Sequence, residues 1–369
     1  MRIGVPKEIK TKEFRVGLTP ASVAEITARG HEVIVQSTAG DGIGMADADY
    51  RLAGAKIVKT AEDIFETADM IVKVKEPQLN ECAMLRQDQT LFTYLHLAAD
   101  KPQAEALCAS GCLAVAYETI TDDHGGLPLL RPMSEVAGRM SVGVGGATLQ
   151  KHAGGGGLLL GGVPGVAPAK VVILGGGVAG ENALQMALGA RAEVTIFERS
   201  LARIAELDRV YGDRARVAFS TTTAVREAVL NADLVIGAVL IPGDAAPKLI
   251  NREMLRDMKD GAVLVDISID QGGCFETSKA TTHDDPTYEI DGVVHYCVAN
   301  MPGGVPKTSA HALNNATLPY VLTLAEHGPR AAIAANAHLS NGVNVANGAI
   351  THEAVARALD MEYSPYIND

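Results

Sequence analysis

The sequence predicts an α/β fold with two doubly wound domains, and three observations support that prediction. Short apolar runs alternate with helical stretches in both halves of the 369-residue chain. Alternation of this kind is typical of a mainly parallel sheet with helices on both faces. The apolar runs between residues 170 and 299 are nearly uninterrupted, as in strands that are buried on both faces. The length also exceeds that of one ordinary domain.

The first alternating series occupies about the first third of the chain. Three patterns indicate helix ends between its strands. Thr19 stands as a cap before proline, and Thr60 precedes Asp63 by three residues, as in an approximate capping box. Gly111 is a typical C-terminal stop. The predicted strands are RIGVP, EVIVQ, MIVKVK, TLFTYLHL and LAVAYET.

The second series supplies the strands AKVVILG, EVTIFE, RVAFS, DLVIGAV, AVLVDI and VVHYCVA. The segments that flank this series are predicted to be long helices joining the two domains. The segment after residue 305 has too few strands to stand alone, so we expect it to pack back onto the first domain. The predicted domains are therefore residues 1–128 plus 306–369, and residues 129–305.

Composition argues against several classes of function. The formal net charge is −12, tryptophan is absent and aromatic residues make up 4% of the chain, which argues against nucleic-acid binding. Five cysteines lack the spacing of a metal site, so we expect reduced thiols and no metal. No apolar run reaches the roughly 18–20 residues that span a bilayer, and MRIGVPKEIK lacks a signal-peptide pattern. We expect a soluble, cytoplasmic protein without a membrane partner.

One glycine cluster has the context of a dinucleotide-binding loop. Gly175, Gly177 and Gly180 form a G-x-G-x-x-G pattern that follows the strand KVVIL and opens a helix. The first glycine permits a tight turn, the second a close approach to pyrophosphate, and the third close packing of helix on sheet. Glu198 ends the next strand, where an acid binds ribose hydroxyls and disfavours the 2′-phosphate of NADP, although Arg199 follows it. The pattern predicts NAD; the alternative is a flexible turn.

Four polar residues are candidates for chemistry beside a nicotinamide. Arg15 lies in the loop after the first strand, Lys75 ends MIVKVK and His96 ends LFTYLH. Open α/β sheets bind ligands at the carboxyl ends of their strands. Asp270 follows a strand of the second series, so we expect it to face the other three across an interdomain cleft. Each has a plainer interpretation: a solvated loop charge for Arg15, one polar edge of a strand for Lys75 together with Lys73, a packing residue for His96, and a turn cap for Asp270.

Several segments together resemble one known family. They include GVPKEIKTKEFRVGLTP, VKVKEP, TYLHLAAD, PLLRPMSEVAGRM, VVILGGGVAGENA, VDISIDQGGCFETS and VANMPGGVPKTSAHALNNATLPY. On these motifs the chain resembles bacterial L-alanine dehydrogenases, a family that shares ancestry with the NAD-binding subunit of proton-translocating transhydrogenase. The resemblance implies two Rossmann-like domains, of which the discontinuous one binds substrate, and a homohexamer. It also implies NAD-dependent oxidative deamination of L-alanine to pyruvate and ammonium, and the reverse reductive amination, by hydride transfer in an interdomain cleft.

The same resemblance implies roles for individual residues. Arg15 and Lys75 would bind the substrate carboxylate and carbonyl oxygen, and His96 would be the general acid and base. Asp270 would assist the ammonia and water steps. Besides the three fingerprint glycines, the implied NAD contacts are Ser134, Val178, Ala179, Glu198, Arg203, Ser220, Val239, Leu240, Ile267, Ser268, Ile269, Asp270, Lys279, Val298, Ala299, Asn300 and Met301.

The chain departs from the family pattern at two of these positions. Glu198 stands where aspartate is usual, so the longer side chain must reach the ribose differently. Lys279 replaces a frequent arginine, which removes a bidentate fork but keeps the charge.

Rival functions come from related classes of protein. The main alternative is the NAD(H)-binding subunit of a proton-translocating transhydrogenase, which would need neither His96 nor Asp270. A lysine-pathway dehydrogenase would need extra cations for a second carboxylate. A catalytically silent NAD-binding regulator would need none of the four candidates.

Overall fold

The computed structural model describes residues 1–239 and 246–367. The chain divides into two compact units. The first unit comprises Met1–Met133 and Val305–Asp369, and the second comprises Ser134–Gly304. These divisions lie within a few residues of the boundaries expected from the sequence.

Short strands and helices alternate through both units. The strands are β1 Arg2–Val5, β2 Glu32–Gln36, β3 Lys56–Val58, β4 Met70–Val72, β5 Thr90–Thr93, β6 Leu113–Ala116, β7 Lys170–Leu174, β8 Glu193–Glu198, β9 Arg216–Phe219, β10 Leu234–Gly237, β11 Val263–Asp266, β12 Thr287–Ile290, β13 Val293–Tyr296, β14 Val343–Ala346 and β15 Ala349–Ile350. The α-helices are α1 Pro20–Ala28, α2 Asp47–Leu52, α3 Ala61–Thr67, α4 Leu79–Cys82, α5 Lys101–Ser110, α6 Arg131–Thr148, α7 Val178–Gly189, α8 Leu201–Tyr211, α9 Thr222–Leu230, α10 Arg252–Asp257, α11 Pro306–His327, α12 Pro329–Ala335, α13 Ala337–Ser340 and α14 Glu353–Leu359.

The first unit contains an eight-stranded sheet in the order β15-β14-β6-β5-β4-β1-β2-β3. Strands β1 to β6 run parallel to one another, whereas β14 pairs antiparallel with β6 and β15 pairs antiparallel with β14. The parallel strands thus follow the order 3-2-1-4-5-6 of a Rossmann sheet. The direction of winding reverses between β1 and β4, and ligands bind at such a switch point.

The second unit repeats this plan with seven strands in the order β12-β13-β11-β10-β7-β8-β9. All pairings are parallel except that of β12, which lies antiparallel to β13 at one edge. The parallel strands again follow the order 3-2-1-4-5-6, and the winding reverses between β7 and β10. Residues of the central strands are almost completely buried in two core layers. The expected α/β fold with two doubly wound sheets is confirmed.

Local sequence signals explain where helices begin and end. The Thr19 hydroxyl caps α1. Thr60 and Asp63 form a reciprocal capping box at the start of α3, with both hydrogen bonds at 3.2 Å. Gly111 ends α5 with a φ of 70°, a conformation that favours glycine. These three sequence predictions are confirmed.

Four strands of the structure have no counterpart among the strands that the sequence predicts: β3, β12, β14 and β15. Three of them lie at sheet edges, and β3 and β12 are partly exposed. Such strands lack the apolar run that identifies a central strand. Conversely, the runs MIVKVK and LFTYLH leave the sheet at Val72 and Thr93, so that their last residues lie in loops. In the described part of the chain, no helix is long and apolar enough to cross a membrane.

Candidate functional site

Three of the four candidate residues lie at the switch point of the first sheet. Arg15 is in the loop between β1 and α1, Lys75 lies three residues beyond β4, and His96 lies three residues beyond β5. These strands are neighbours in the order β1-β4-β5, so their carboxyl ends share one edge. The charges of Arg15 and Lys75 both act on the His96 imidazole. The structure therefore brings these three residues together.

Arg15 is buried and its direction is fixed by Glu13. The Arg15 Nε atom donates to Glu13 Oε1 at 2.7 Å, and Nη2 donates to Oε2 at 2.5 Å. Its Nη1 atom lies 3.1 Å from the Met133 sulfur. Burial opposes the positive charge, but the Glu13 carboxylate outweighs burial, so the pKa of Arg15 is raised. The guanidinium is thus held charged and oriented.

Lys75 is also buried, and the backbone beside it is held by a second glutamate. Glu8 Oε1 accepts from the N–H of Val74 at 2.7 Å and, more weakly, from that of Lys75 at 3.4 Å. The Lys75 carbonyl accepts from the Thr93 hydroxyl at 3.0 Å, which ties β4 to β5. The Lys75 Nζ atom lies 3.7 Å from Glu76 Oε2.

Lys73, two residues earlier, has no exposed surface. Its Nζ atom donates to Glu8 at 3.1 Å and to Glu81 at 2.9 Å. Burial lowers and the two carboxylates raise its pKa, and the net direction is upward. Burial raises the pKa of Glu8 although Lys73 opposes this. Lys73 therefore neutralises buried carboxylates rather than forming the polar edge of a strand.

His96 is the most exposed of the three, with 43% of its side chain accessible. It has a φ of 50° and a ψ of 34°, in the left-handed region. The Tyr94 ring stacks beside it, with centroids 5.7 Å apart and planes 9° apart. Partial burial, followed by the charges of Lys75, Lys10 and Arg15, holds the pKa of His96 well below its usual value. The imidazole is therefore neutral at pH 7.

The fourth candidate, Asp270, belongs to the second unit. It lies in a 3₁₀ turn after β11, is exposed, and accepts from the Asn300 N–H at 3.2 Å. The preceding Asp266 is buried and accepts from the Ser268 N–H at 3.0 Å and from the Cys274 N–H at 2.9 Å. Asp266 thus anchors the turn that carries Asp270.

The fingerprint glycines occupy the switch point of the second sheet. Gly175 follows β7 with a φ of 103°, which a side chain would strain. A Cβ at Gly180 would collide with the Gly175 carbonyl oxygen, so glycine is required for this packing of α7. A Cβ at Gly177 would contact no heavy atom of the described chain. This open space lies at the N-terminus of α7, where helices bind phosphate groups, so the loop fits a dinucleotide.

Glu198 is at the end of β8, as expected, and points back to the glycine loop. Its Oε2 atom accepts from the Gly176 N–H at 2.9 Å, and Oε1 accepts from the N–H groups of Arg199 and Ser200 at 2.6 and 2.9 Å. The Glu198 carboxylate thus contacts both the residues that follow β8 and the loop after β7.

Arg203 ties the first turn of α8 to the same loop. Its Nε atom donates to the Gly176 carbonyl at 2.8 Å, and its other nitrogens pair with Glu206 and Glu181. Gly176 is therefore held through its N–H by Glu198 and through its carbonyl by Arg203. Glu198 and Arg203, which the family resemblance assigns to NAD binding, therefore also hold the loop after β7 in place.

The other implied NAD contacts lie mostly beyond the carboxyl ends of second-sheet strands. The Ser220 N–H donates to the Glu198 carbonyl at 2.9 Å, and the Ser268 hydroxyl donates to the Val239 carbonyl at 2.6 Å. Leu240 lies outside the described residues. Val178 and Ala179 begin α7, and Ser134 lies in α6. The turn after β11 contains Ile267, Ser268, Ile269 and Asp270, and the segment after β13 contains Val298, Ala299, Asn300 and Met301. Lys279 is exposed.

The sequence patterns do not identify the three glutamates that hydrogen-bond to the backbone of the candidate residues. Glu8, Glu13 and Glu118 each accept from the backbone N–H of a candidate residue. Glu13 could have been found from its position two residues before Arg15, whereas Glu118 follows β6 and is distant in sequence from His96. Such pairings depend on strand order, which no local pattern reveals.

Comparison with known proteins identifies relatives over nearly the whole chain. Residues 4–137 match the family described as "Alanine dehydrogenase/PNT, N-terminal domain", and residues 141–353 match "Alanine dehydrogenase/PNT, C-terminal domain". The alanine dehydrogenase of Halomonas elongata is 57% identical over 363 residues, covering 98% of each chain. A solved L-alanine dehydrogenase has a TM-score of 0.94 and 49% identity, covering 98% of this chain and 99% of the other. A transhydrogenase from Sinorhizobium meliloti has a TM-score of 0.81 and 26% identity, covering 96% and 100%.

Proposed function

Because the chain belongs to the alanine dehydrogenase/PNT family, we propose that it is an NAD-dependent L-alanine dehydrogenase. It converts L-alanine to pyruvate and ammonium and catalyses the reverse reductive amination. The observation that carries this proposal is the meeting of Arg15, Lys75 and His96 at one switch point. A small 2-oxo acid presents a planar carboxylate and a carbonyl oxygen, which suit a guanidinium, an ammonium group and a neutral imidazole.

The first unit is the substrate domain in this proposal. Arg15, oriented by Glu13, binds the substrate carboxylate through its guanidinium group. Lys75 stabilises the negative charge that develops on the carbonyl oxygen during amination. Because its pKa is lowered, His96 is neutral and able to accept a proton from the water that adds to the substrate carbon in the oxidative direction. It returns a proton to that oxygen in the aminating direction.

The second unit is the NAD-binding domain. The amide groups at the start of α7 would hold the pyrophosphate, the space beside Gly177 would admit it, and Glu198 would accept from the adenosine ribose. Bound NAD supplies the acceptor for the hydride that leaves the substrate carbon. Asp270 holds the nitrogen of the substrate or the incoming ammonia.

The transhydrogenase subunit remains the alternative for a chain of this family. The solved transhydrogenase shares 26% identity with this chain, against 49–57% for the alanine dehydrogenases. A subunit that only binds nucleotide would not need a neutral imidazole near two substrate-binding cations. The presence of His96, Arg15 and Lys75 together favours the amino-acid enzyme.

The assembly and cellular location belong to the same proposal. All five cysteines are unpaired thiols and four of them are buried, as suits a reducing cytoplasm. We propose a cytoplasmic homohexamer of the 38.6 kDa chain, as the family resemblance implies. Light scattering of the purified protein would give six times that mass; a monomer or dimer would contradict the assembly.

The activity is tested by following NADH absorbance at 340 nm. The protein with L-alanine and NAD should produce NADH, faster at alkaline pH, and pyruvate with ammonium should consume it. The same protein without amino acid is the control. Absence of any change in both directions, in a preparation that binds NADH, would leave the transhydrogenase-type function as the better explanation.

A further inference from the structure

Glu118 occupies an unusual place beside His96. Its Oε1 atom accepts from the His96 N–H at 2.6 Å and from the Leu95 N–H at 3.1 Å. Its Oε2 atom lies 3.2 Å from the same Leu95 nitrogen. The carboxylate therefore receives two successive backbone N–H groups at the point where the chain leaves β5. One oxygen, in the Oε1 position, is sufficient to accept both.

This interaction holds a conformation that His96 does not favour. A histidine at a φ of 50° lies in the left-handed region, which residues with a Cβ seldom adopt. Such a conformation persists when surrounding contacts determine it. The direction of the His96 side chain depends on this φ because the Cα–Cβ bond rotates with the backbone. Releasing the two N–H groups would let the residue relax to another conformation.

The turn that carries Glu118 is anchored by buried contacts. It lies in the 3₁₀ turn that follows β6, beside Tyr117, which is fully buried. The Tyr117 hydroxyl donates to the Lys73 carbonyl at 3.0 Å, and its ring packs edge-on against Tyr94 with centroids 5.0 Å apart. Tyr94 in turn stacks beside His96. The turn after β6 thus fixes both the backbone and one side of the imidazole.

We propose that Glu118 is a positioning residue for His96: it acts through two backbone hydrogen bonds that hold the imidazole in its catalytic direction. This inference rests on the proposed role of His96. No hydrogen bond joins the Glu118 carboxylate to the imidazole ring, because the distance from its Oε1 to His96 Nδ1 is 4.0 Å. Its hydrogen bond to residue 96 is made through the backbone N–H, and substitutions at Glu118 distinguish the acceptor from the charge.

Three substitutions separate the acceptor from the charge. Glu118→Gln keeps a carbonyl oxygen at the Oε1 position and loses the charge, so kcat should stay within about threefold of the wild type. Glu118→Asp keeps the charge but withdraws the acceptor by one methylene, and Glu118→Ala removes it. Because small misplacements of a catalytic group reduce turnover strongly, kcat should fall about 10-fold for aspartate and up to about 100-fold for alanine. Glu105→Gln, at an exposed acid on α5, is the matched control.

The measurements are kcat and KM for L-alanine and for pyruvate, NADH binding by fluorescence, and hydrogen exchange at the His96 amide. We expect the ranking Gln, Asp, Ala in kcat, unchanged NADH binding, and faster exchange in the aspartate and alanine variants. Higher activity for aspartate than for glutamine would overturn the proposal in favour of an electrostatic role. A lower melting temperature with unchanged kcat in all three variants would reduce Glu118 to a structural residue. Should the alanine variant not fold, the order of the other two still decides.

A fourth variant separates this proposal from the proposed function. His96→Ala should abolish turnover and leave NADH binding intact. If it remains fully active, the role of His96 is wrong whatever Glu118 does. If it is inactive while all Glu118 variants match the wild type, only the positioning role fails.

Discussion

The switch point of the second sheet is lined mainly by backbone, whereas that of the first sheet is lined by charged side chains. At the switch point of the second sheet, the loop after β7 turns through Gly175 and leads to the N-terminus of α7, beside an open space at Gly177. At the switch point of the first sheet, a longer loop after β1 carries the buried residues Glu8, Glu13 and Arg15. The two sheets share one strand order.

The difference follows from what each edge has to bind. A pyrophosphate is satisfied by N–H groups and a helix dipole, which require small residues and no buried charge. A substrate that exchanges protons requires a base and cations close to its reacting atoms. Burying cations costs free energy unless anions accompany them, and here each has a nearby glutamate. The same topology thus supports recognition by backbone in one unit and by paired charges in the other.

The largest expected effect comes from breaking a charge pair in the first unit. Lys73→Met removes a fully buried cation and leaves Glu8 and Glu81 without it. Breaking a buried pair in this way costs about 3–5 kcal/mol in the free energy of unfolding. Urea titration should show this loss, and Lys101→Met at an exposed position on α5 should not.

The same variant should respond to pH in a definite direction. Burial already raises the pKa of Glu8 above its usual value, and loss of Lys73 raises it further. The folded state of the variant then binds more protons than the unfolded state above about pH 4.5, so its stability rises as pH falls. A variant whose deficit is the same at pH 5 and pH 8 would show that the carboxylates find another partner.

The second effect concerns the close packing of the glycine loop. Gly180→Ala adds a Cβ that collides with the Gly175 carbonyl, whereas Gly189→Ala, on the same helix, meets no atom of the described chain. Overpacking costs about 1–3 kcal/mol, and the loop must move to relieve it. NADH affinity should fall about 10–100-fold in the first variant and remain unchanged in the second, as fluorescence titration would measure. Equal affinities would mean that the loop does not contact the dinucleotide.

A third, smaller effect concerns cofactor choice. Glu198→Ser removes the charge that opposes a 2′-phosphate while Arg199 and Arg203 remain. The ratio of kcat/KM for NAD to that for NADP should fall about tenfold, equivalent to about 1.4 kcal/mol. The hydrogen bond of Glu198 to Gly176 is lost as well, so NAD affinity should also decrease. An unchanged ratio would place the ribose contact elsewhere.

The same comparison explains what the sequence could predict. The glycine loop is local: strand, three glycines, helix and the acid of the next strand follow one another within residues 170–198. Its position was therefore predictable from spacing. The candidates Arg15, Lys75 and His96 were predictable because each follows a strand end, but that position alone does not distinguish a buried charge from a solvated one.

The glutamates that support these candidates were not predictable. Glu118 contacts His96 because β5 and β6 are neighbours, and Glu8 contacts Lys73 because β1 and β4 are neighbours. Only the completed sheet brings such residues together. The edge strands were missed for a related reason, since a short, partly exposed strand such as β3 carries little apolar pattern.

The smallest effect tests whether the cations at the first switch point act on the base. Partial burial, then Lys75, Lys10 and Arg15, lowers the pKa of His96. Lys10→Met removes one of these charges and also leaves Glu76, which lies 3.7 Å from the Lys75 Nζ atom, without its pairing to Lys10, so the pKa of His96 should rise. Lys12→Met, in the same loop, is the matched control. The measurements are the NMR titration of the His96 ring and the acid limb of the pH profile for alanine oxidation, which should move up together.

The lowered pKa of His96 also determines the direction in which the folding stability changes with pH. Because the folded pKa of His96 lies below the unfolded value of about 6.5, the unfolded state binds more protons between the two values. The contribution of His96 is therefore present above pH 6.5 and is lost as pH falls through the folded pKa. A smaller shift in Lys10→Met means a smaller loss, so the variant should destabilise less than the wild type between pH 7 and pH 5. The acid limb could instead move equally in both lysine variants. That result would mean that the net charge of the protein, rather than the positions of individual cations at the first switch point, sets the pKa of His96.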